Sequence, residues 1–354
     1  AFFEKIPLGT VSGIGHYSNK ILEFSQFSST WDRNHITGSA SLPIDYDITS
    51  PNVRDWNPGG ELNVTTKGDF HSAVFLSEYL AETDSIIGDI NMYLDIKGLP
   101  EKLVRNGEIT IENGSVYTIL MDEPIRRIST HGLLVDNQLS IQSFTGALFD
   151  TQTKIDSTQN LTITGGLDFT KFFEPRYNLH AEGDDIFFRS LIGDIEGYGD
   201  LDVTVVGKDT LEINGTVSAK NGATYIEFTG DEPVESAEAK GRITTNYNIR
   251  FPIEDTFSIR NSQIDAKITG ELAMSKQFDG EWNYSGEIEF IEGEIYYYVG
   301  DVFENLTGVM TLDGQGFNPF LELTASTKIG DAEIMLGVFG PFDNPEWRFD
   351  SNKG

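Results

Sequence analysis

Short runs of alternating apolar and polar residues extend along most of the chain. They include residues 161–164, 201–205, 264–268 and 334–338. A period of two places the apolar side chains on one face of a β-strand and the polar side chains on the other. Gly, Asn and Asp interrupt the runs roughly every eight to twelve residues, a spacing typical of chains built from many strands. The pattern therefore predicts an all-β fold.

Helical periodicity is confined to two short segments. In residues 71–81, Val74, Phe75, Tyr79 and Leu80 share one stripe, and residues 185–191 show a weaker stripe. Apolar residues three and four positions apart lie on one side of a helix. Each segment predicts one or two turns of helix on the β scaffold.

Glycine and tyrosine positions repeat along the chain. The spacing G-x6-G-x2-Y begins at Gly107, at Gly215 and at Gly286. A self-similarity of this kind indicates a repeated structural unit, here about 108 residues long. The proposed structural repeat positions are Gly88, Gly98, Gly107, Gly114, Tyr117, Gly197, Gly207, Gly215, Gly222, Tyr225, Gly286, Gly293 and Tyr296.

The repeat divides the chain into four consecutive segments of one continuous sheet. These are an N-terminal β segment (1–66), repeat unit 1 (67–175), repeat unit 2 (176–262) and an abbreviated repeat unit 3 (263–354). Regularly spaced glycines mark places where strands bend or reverse. We therefore expect an elongated, bent antiparallel β-sheet. Periodicity leaves two arrangements open: a closed sandwich, or a sheet folded over an apolar groove.

Charge excludes several classes of partner. The chain has 56 acidic and 25 basic residues and a formal charge of −31. Nucleic acid binding needs clustered Lys and Arg, so no nucleic acid partner is expected. The absence of cysteine excludes disulfides and thiolate sites. No apolar run is long enough for a membrane-spanning helix, so any membrane anchor is expected outside these residues.

The sequence predicts no catalytic, cofactor or metal site. The five histidines, His16, His35, His71, His131 and His180, lack metal-ligand spacing. Acidic pairs at 45–47, 184–185 and 200–202 lack the convergent oxygens of a calcium loop and are interpreted as solvated outer-face carboxylates. We therefore expect a protein that is not an enzyme.

The C-terminal motifs carry a family resemblance. Residues 286–298 form a hairpin pattern, and Phe303-Glu-Asn-Leu-Thr-Gly308 follows it. Residues 318–325 then read N-P-x-L-x-[apolar]-x-A, and residues 340–351 close on G…P…S. Together with the glycine repeats, this order resembles the TamB/AsmA-like family, and within it the C-terminal region of TamB. The motifs are structural glycines and prolines, so they indicate a fold more strongly than a chemistry.

The resemblance implies a β-taco, a long U-shaped sheet with an apolar groove. It also implies a periplasmic segment of a protein anchored in the inner membrane of a Gram-negative (diderm) bacterium. Such proteins are implicated in moving phospholipid to the outer membrane and in outer-membrane biogenesis. The implied partners are phospholipid acyl chains and an outer-membrane β-barrel assembly protein. Acyl chains suit a groove because each buried CH₂ contributes about 0.8 kcal/mol.

With this fold, the alternating apolar positions become candidates for the lining of the groove. The candidates are Ile109, Ile111, Leu161, Ile163, Leu201, Val203, Val205, Ile264, Ile268, Leu272, Ile288, Phe290, Leu321, Leu323, Ile334, Leu336 and Val338. Without the resemblance, the same residues are interpreted as a dry core.

A second functional reading remains open at this point. Acidic surfaces and repeated β units also occur in extracellular or cell-surface structural and adhesive proteins, where calcium can stiffen the repeats. Thermal melting with and without calcium separates the two readings, because ligand binding to the folded state raises its stability.

Overall fold

The computed structural model describes residues 2–3, 6–7, 9–46, 54–56, 59–73, 83–118, 121–150, 159–171, 174–190, 194–225, 244–278, 280–297, 302–314 and 316–352. These residues form strands, turns and connecting segments, and they contain no helix. The strands are β1 (Phe2–Phe3), β2 (Ile6–Pro7), β3 (Thr10–Ser18), β4 (Ile21–Trp31), β5 (Asn34–Leu42), β6 (Ile44–Tyr46), β7 (Arg54–Trp56), β8 (Leu62–Ser72), β9 (Thr83–Leu99), β10 (Lys102–Thr118), β11 (Ile125–Val135), β12 (Gln138–Ala147), β13 (Leu161–Asp168), β14 (Arg176–Ser190), β15 (Ile195–Gly207), β16 (Thr210–Val217), β17 (Asn221–Thr224), β18 (Thr244–Arg260), β19 (Ile264–Lys276), β20 (Asn283–Tyr296), β21 (Val302–Asp313), β22 (Phe320–Ile329), β23 (Ala332–Pro341) and β24 (Glu346–Ser351). The all-β prediction is confirmed.

One long sheet contains almost all of these strands. Its pairings run in chain order from β3 through β4, β5, β8 and β9 to β24, while β1–β2 and β6–β7 form two small separate pairs. Hairpin connections place each strand beside the one before it, so the sheet grows in one direction as the chain proceeds. Strand β8 crosses the expected boundary at 66/67, and the β13–β14 and β18–β19 pairs span the other two. The segments are therefore parts of one continuous elongated sheet.

The sheet is mixed at one junction, where the expectation of purely antiparallel pairing is wrong. Strands β16 and β17 both pair with β18 in parallel, with Thr210 opposite Thr244 and Thr224 opposite Ile259. Residue 225 therefore lies at one rim of the sheet, formed by strand ends, and residue 244 lies at the opposite rim. From residue 244 onward, β18 continues the sheet. Alternation has the same period in parallel and antiparallel strands, so the sequence pattern carried no information on this direction.

The helix prediction for residues 185–191 is also wrong over its described part. Residues 185–190 belong to strand β14. The register between β14 and β15 shifts between Gly183 and Ile186, which marks a bulge. Directly after it, the apolar residues Ile186, Phe187 and Phe188 follow one another without a polar residue between them. A bulge changes the phase of the alternation and so imitates a helical stripe. Of the other candidate, His71 and Ser72 lie in β8, and residues 74–81 lie outside the described residues.

A row of register shifts crosses the sheet and marks where it bends, and we call this row the crease. From β8 to β22 most neighbouring pairs shift register at adjoining positions, as at Glu112/Ser115, Gly183/Ile186 and Glu304/Thr307. Four non-glycine residues in these shifts have positive φ: Asn113 (52°), Arg127 (52°), Asp185 (48°) and Asn305 (55°). Bulges bend a strand and increase its twist. Bulges in most neighbouring pairs therefore bend the sheet along the crease.

The repeated glycines meet across this crease. Gly197 lies directly opposite Gly222, and Gly293 lies directly opposite Ala266. A Cβ built on Gly88 would lie 2.8 Å from Gly114 Cα, and one on Gly222 would lie 2.5 Å from Gly197 Cα. In all three units, the bend brings neighbouring backbones too close for a larger side chain.

Gly222→Ala is expected to destabilise the protein by about 1–3 kcal/mol, because the new methyl group would overlap the Gly197 backbone. The matched control is Gly280→Ala in the β19–β20 turn, where the added Cβ would lie 3.4 Å from its nearest neighbour. We expect that control to change stability by less than about 0.5 kcal/mol. Urea unfolding followed by circular dichroism measures both, and equal midpoints for the two variants would contradict a steric crease.

A second prediction concerns the β13–β14 turn. Asp168 Oδ1 accepts hydrogen bonds from the Thr170 hydroxyl (2.6 Å) and from the Thr170 backbone N–H (2.8 Å). These bonds lower the pKa of Asp168 from its ordinary value. A lowered folded-state pKa gives stability that is present above the unfolded-state pKa and lost as pH falls through the folded-state value. Asp168→Asn should therefore lower the melting temperature at neutral pH. The difference should shrink as the pH falls below the usual Asp range, and a difference that grows in acid would refute this assignment.

Candidate functional site: an apolar trough

The strand registers place the apolar positions of successive strands on one face of the sheet. One row runs from Phe257 through Ile268, Phe290, Gly308, Leu323 and Val338 to Trp347, each directly opposite the next. Directly opposed residues in an antiparallel pair point to the same side. We call this side the inner face and its continuous apolar surface the trough.

The inner face curls so that distant strands touch. Phe303 in β21 and Phe349 in β24 have ring centroids 6.1 Å apart, although two strands separate them in the sheet. A flat sheet would hold their strands about 14 Å apart. Tyr297 also packs on Trp347 and Phe349, both at 5.4 Å. These aromatic contacts bring the walls of the trough together at its C-terminal end.

The outer face carries the charged residues of the same strands. Between the inward Ile264, Ala266 and Ile268, β19 exposes Asp265 and Lys267. Lys267 Nζ lies 2.5 Å from Glu292 Oε1, and its hydrogen bond lowers the pKa of Glu292. Exposed pairs of this kind add little to stability, because water and salt screen them. They cover the outer face with hydrated, mostly negative groups.

The registers place all seventeen candidate lining residues on the inner face, but some of these residues are buried and others are only half-buried. In unit 3, Ile268, Ile288, Phe290, Leu323, Leu336 and Val338 belong to one core cluster and are at most 4% exposed. In units 1 and 2, most candidates are only half-buried: Ile109, Ile111, Ile163, Leu201 and Val205. Leu161 and Val203 are buried there, and Ile264 and Leu321 are buried in unit 3, while Leu272 and Ile334 are half-buried. The trough is therefore packed shut on itself in unit 3 and less filled in units 1 and 2.

Several lining residues were missed by the sequence interpretation. Buried in the same cluster are Phe257, Ile259, Ile295, Phe303, Leu306, Met310 and Leu312. Met310 and Leu312 alternate with Val309 and Thr311, so the period-two signal for them was present in the sequence. Phe303 lies just before the Glu304/Thr307 register shift and Leu306 lies within it, and the shift breaks that signal.

The repeat tyrosines lie at the ends of strands, on the rim of the sheet opposite the β9–β10 and β19–β20 turns. Tyr117, Tyr225 and Tyr296 are 36%, 36% and 38% exposed. The Tyr225 hydroxyl donates to Glu196 Oε1 (3.1 Å). Their rings pack on the sheet while the hydroxyl groups reach polar surroundings, as is common for tyrosine at an apolar boundary.

The acidic pairs considered as calcium ligands have cationic neighbours. Lys220 Nζ lies 2.6 Å from Asp200 Oδ2 and 4.0 Å from Asp184 Oδ1. His180 Nε2 lies 2.8 Å from Asp202 Oδ1, while Asp47 lies outside the described residues. Within the described ranges, no group of three or more His, Cys, Asp or Glu side chains is placed to hold a metal ion. No helix in that part of the chain is long and apolar enough to cross a membrane.

A protein-family model described as the TamB C-terminal domain matches residues 150–352. No curated protein matches the chain. The matched region contains the crease from β14 to β22 and the packed trough of unit 3. It covers more than half of the sequence, and the chain therefore belongs to the TamB family.

Proposed function

We propose that this chain is a segment of a periplasmic conduit that moves phospholipid between the inner and outer membranes. The acyl chains would lie in the trough while the headgroups stay in water. The role would support outer-membrane biogenesis together with an outer-membrane β-barrel assembly protein, and the inner-membrane anchor would lie outside these residues. No bond is broken, so the proposal needs no catalytic group.

The observation that carries the proposal is the continuity of the apolar inner face. Opposed apolar side chains follow one another from strand to strand, as in Leu161, Gly183 and Leu201 or Ile163, Ala181 and Val203. Each CH₂ of an acyl chain that leaves water for such a surface contributes about 0.8 kcal/mol. A surface that repeats at every strand offers apolar contacts at each step along the sheet. This supports passage of a chain along the trough.

The half-buried part of the trough is the place to look for bound lipid. Ile109, Ile163 and Leu201 retain exposed surface, whereas Ile288 and Leu323 are buried against their neighbours. A lipid in units 1 and 2 covers exposed apolar area. A lipid in unit 3 must replace contacts that the walls make with each other.

The test compares one inward and one outward substitution on strand β13. Ile163→Asp places a carboxylate in the trough. An acyl chain bound beside it would displace the water that the charge needs, so lipid binding becomes unfavourable. Thr164→Asp adds the same charge to the exposed outer face of the same strand. Phospholipid extracted from the purified chain and quantified by mass spectrometry should fall several-fold for Ile163→Asp and stay unchanged for Thr164→Asp.

Far-UV circular dichroism of the two variants should match that of the wild-type chain, which separates loss of lipid from loss of fold. A photo-crosslinking residue at Leu201 should also label lipid, while one at Asp202 on the opposite face should not. A wild-type chain that carries no phospholipid, or equal lipid content in both variants, would overturn the proposal.

A further inference from the structure

An aromatic cluster with one lysine lies at the rim of the inner face, beside the β19–β20 turn. Lys276 ends strand β19 directly opposite Tyr247, and two residues earlier Met274 lies opposite Tyr284. Met274 faces Ile249 on its other side, and Ile249 is buried on the inner face. Lys276, Tyr247 and Tyr284 therefore belong to the inner face at its rim.

The aromatic rings support the lysine. The Trp282 ring lies 5.4 Å from Tyr247 and 6.5 Å from Tyr284, and Phe317 meets Tyr284 edge-on at 5.5 Å. Lys276 Nζ lies 5.5 Å from the centroid of Trp282. A cation over a ring face is held in place by the ring quadrupole, but its charge is not neutralised. The N–H groups that point away from the ring stay available as donors.

Lys276 has no carboxylate partner among the residues that the structure describes. Other lysines do have one, as Lys267 has Glu292 and Lys208 has Glu174. The inward-facing Arg105 donates to the Asn137 side chain and to the Phe169 carbonyl. Lys276 therefore presents its charge at the rim of the inner face, in a chain with 56 acidic and 25 basic residues.

The surface directly behind this lysine is apolar. Met274 and Leu272 follow it on the inner face, and Leu312 lies across from Gly286 in the same row as Leu272. Leu312 is 4% exposed. Residues two apart on a strand are about 7 Å apart. A cation and an apolar channel at this distance match an amphiphile with an anionic head and a hydrocarbon tail.

We propose that Lys276 binds the phosphate of a lipid headgroup whose acyl chain lies in the trough. The Trp282 ring, which contacts both Tyr247 and Tyr284, holds the lysine in place. The proposal rests on the proposed lipid-carrying function and adds the position and charge of the headgroup. Lysine serves as a point charge for phosphate, and its hydrogen bonds to an anionic oxygen are roughly twice as strong as neutral ones.

The experiment uses two amphiphiles with the same tail, dodecyl phosphate and dodecyl maltoside, each below its micelle concentration. Binding to the full chain is measured by calorimetry for the wild type, for Lys276→Gln and for Lys328→Gln. Lys328 is exposed on the outer face of β22, so its substitution makes the same change in net charge away from the trough. Inorganic phosphate serves as a third ligand.

We expect Lys276→Gln to weaken dodecyl phosphate binding about tenfold, equivalent to about 1.4 kcal/mol. Dodecyl maltoside binding should be the same in all three proteins, and Lys328→Gln should bind both amphiphiles like the wild type. Equal dodecyl phosphate affinity in the two variants, with both amphiphiles still bound, would overturn the headgroup site and leave the trough intact. Inorganic phosphate that binds as tightly as dodecyl phosphate would overturn the assignment to lipid. Failure of both amphiphiles to bind the wild-type chain would overturn the proposed function itself.

Discussion

The close approach of neighbouring backbones at the crease is the constraint on which the rest of the structure depends. Each bulge adds one residue to one strand of a pair, and Asn113, Arg127, Asp185 and Asn305, which lie in these bulges, adopt left-handed backbone conformations. Only Gly, with Asn and Asp as the next most tolerant residues, takes this conformation at little cost. The pairs Gly197–Gly222 and Ala266–Gly293 then let the bent strands stay paired. Without these small residues the sheet could still alternate, but it could not fold over its apolar face.

The bend determines how the charge is distributed. A sheet with one apolar face must bury that face, and within the residues that the structure describes this sheet buries it largely against itself. The opposite face remains in water and carries the acidic residues that give the chain its charge of −31. Such a charge keeps neighbouring molecules apart even where the walls of the trough expose hydrocarbon. The polarity of the two faces thus follows from the alternating pattern, while the fold along the crease follows from the bulges and glycines that interrupt it.

The sequence predicted the faces of the strands better than the bend between them. Alternation identified the inner side chains of β19 to β23 correctly as apolar, because a period of two needs no knowledge of the partner strand. The same reasoning failed at Ile186 to Phe188, where a bulge changes the phase, and at the β16–β18 junction, where strand direction leaves no mark on the pattern. It also missed Lys276 and Trp282, since the contact between them depends on how the β19–β20 turn folds. Side chains brought together by a turn or a curl carry no periodic signal.

The uneven packing of the trough bears on how a conduit of this kind would work. A groove that bound acyl chains strongly and without competition at every step would hold them in place. In unit 3 the walls already contact each other, through Phe303, Leu323 and Leu336 among others. A hydrocarbon chain that enters there replaces one set of apolar contacts by another, so its net gain in free energy is small. In units 1 and 2 the half-buried lining offers a larger gain for the first contact. The less filled region then favours loading of a hydrocarbon chain. A chain in the self-packed region gains little from its contacts, so it leaves that region at a low cost in free energy. Movement along the trough requires this combination.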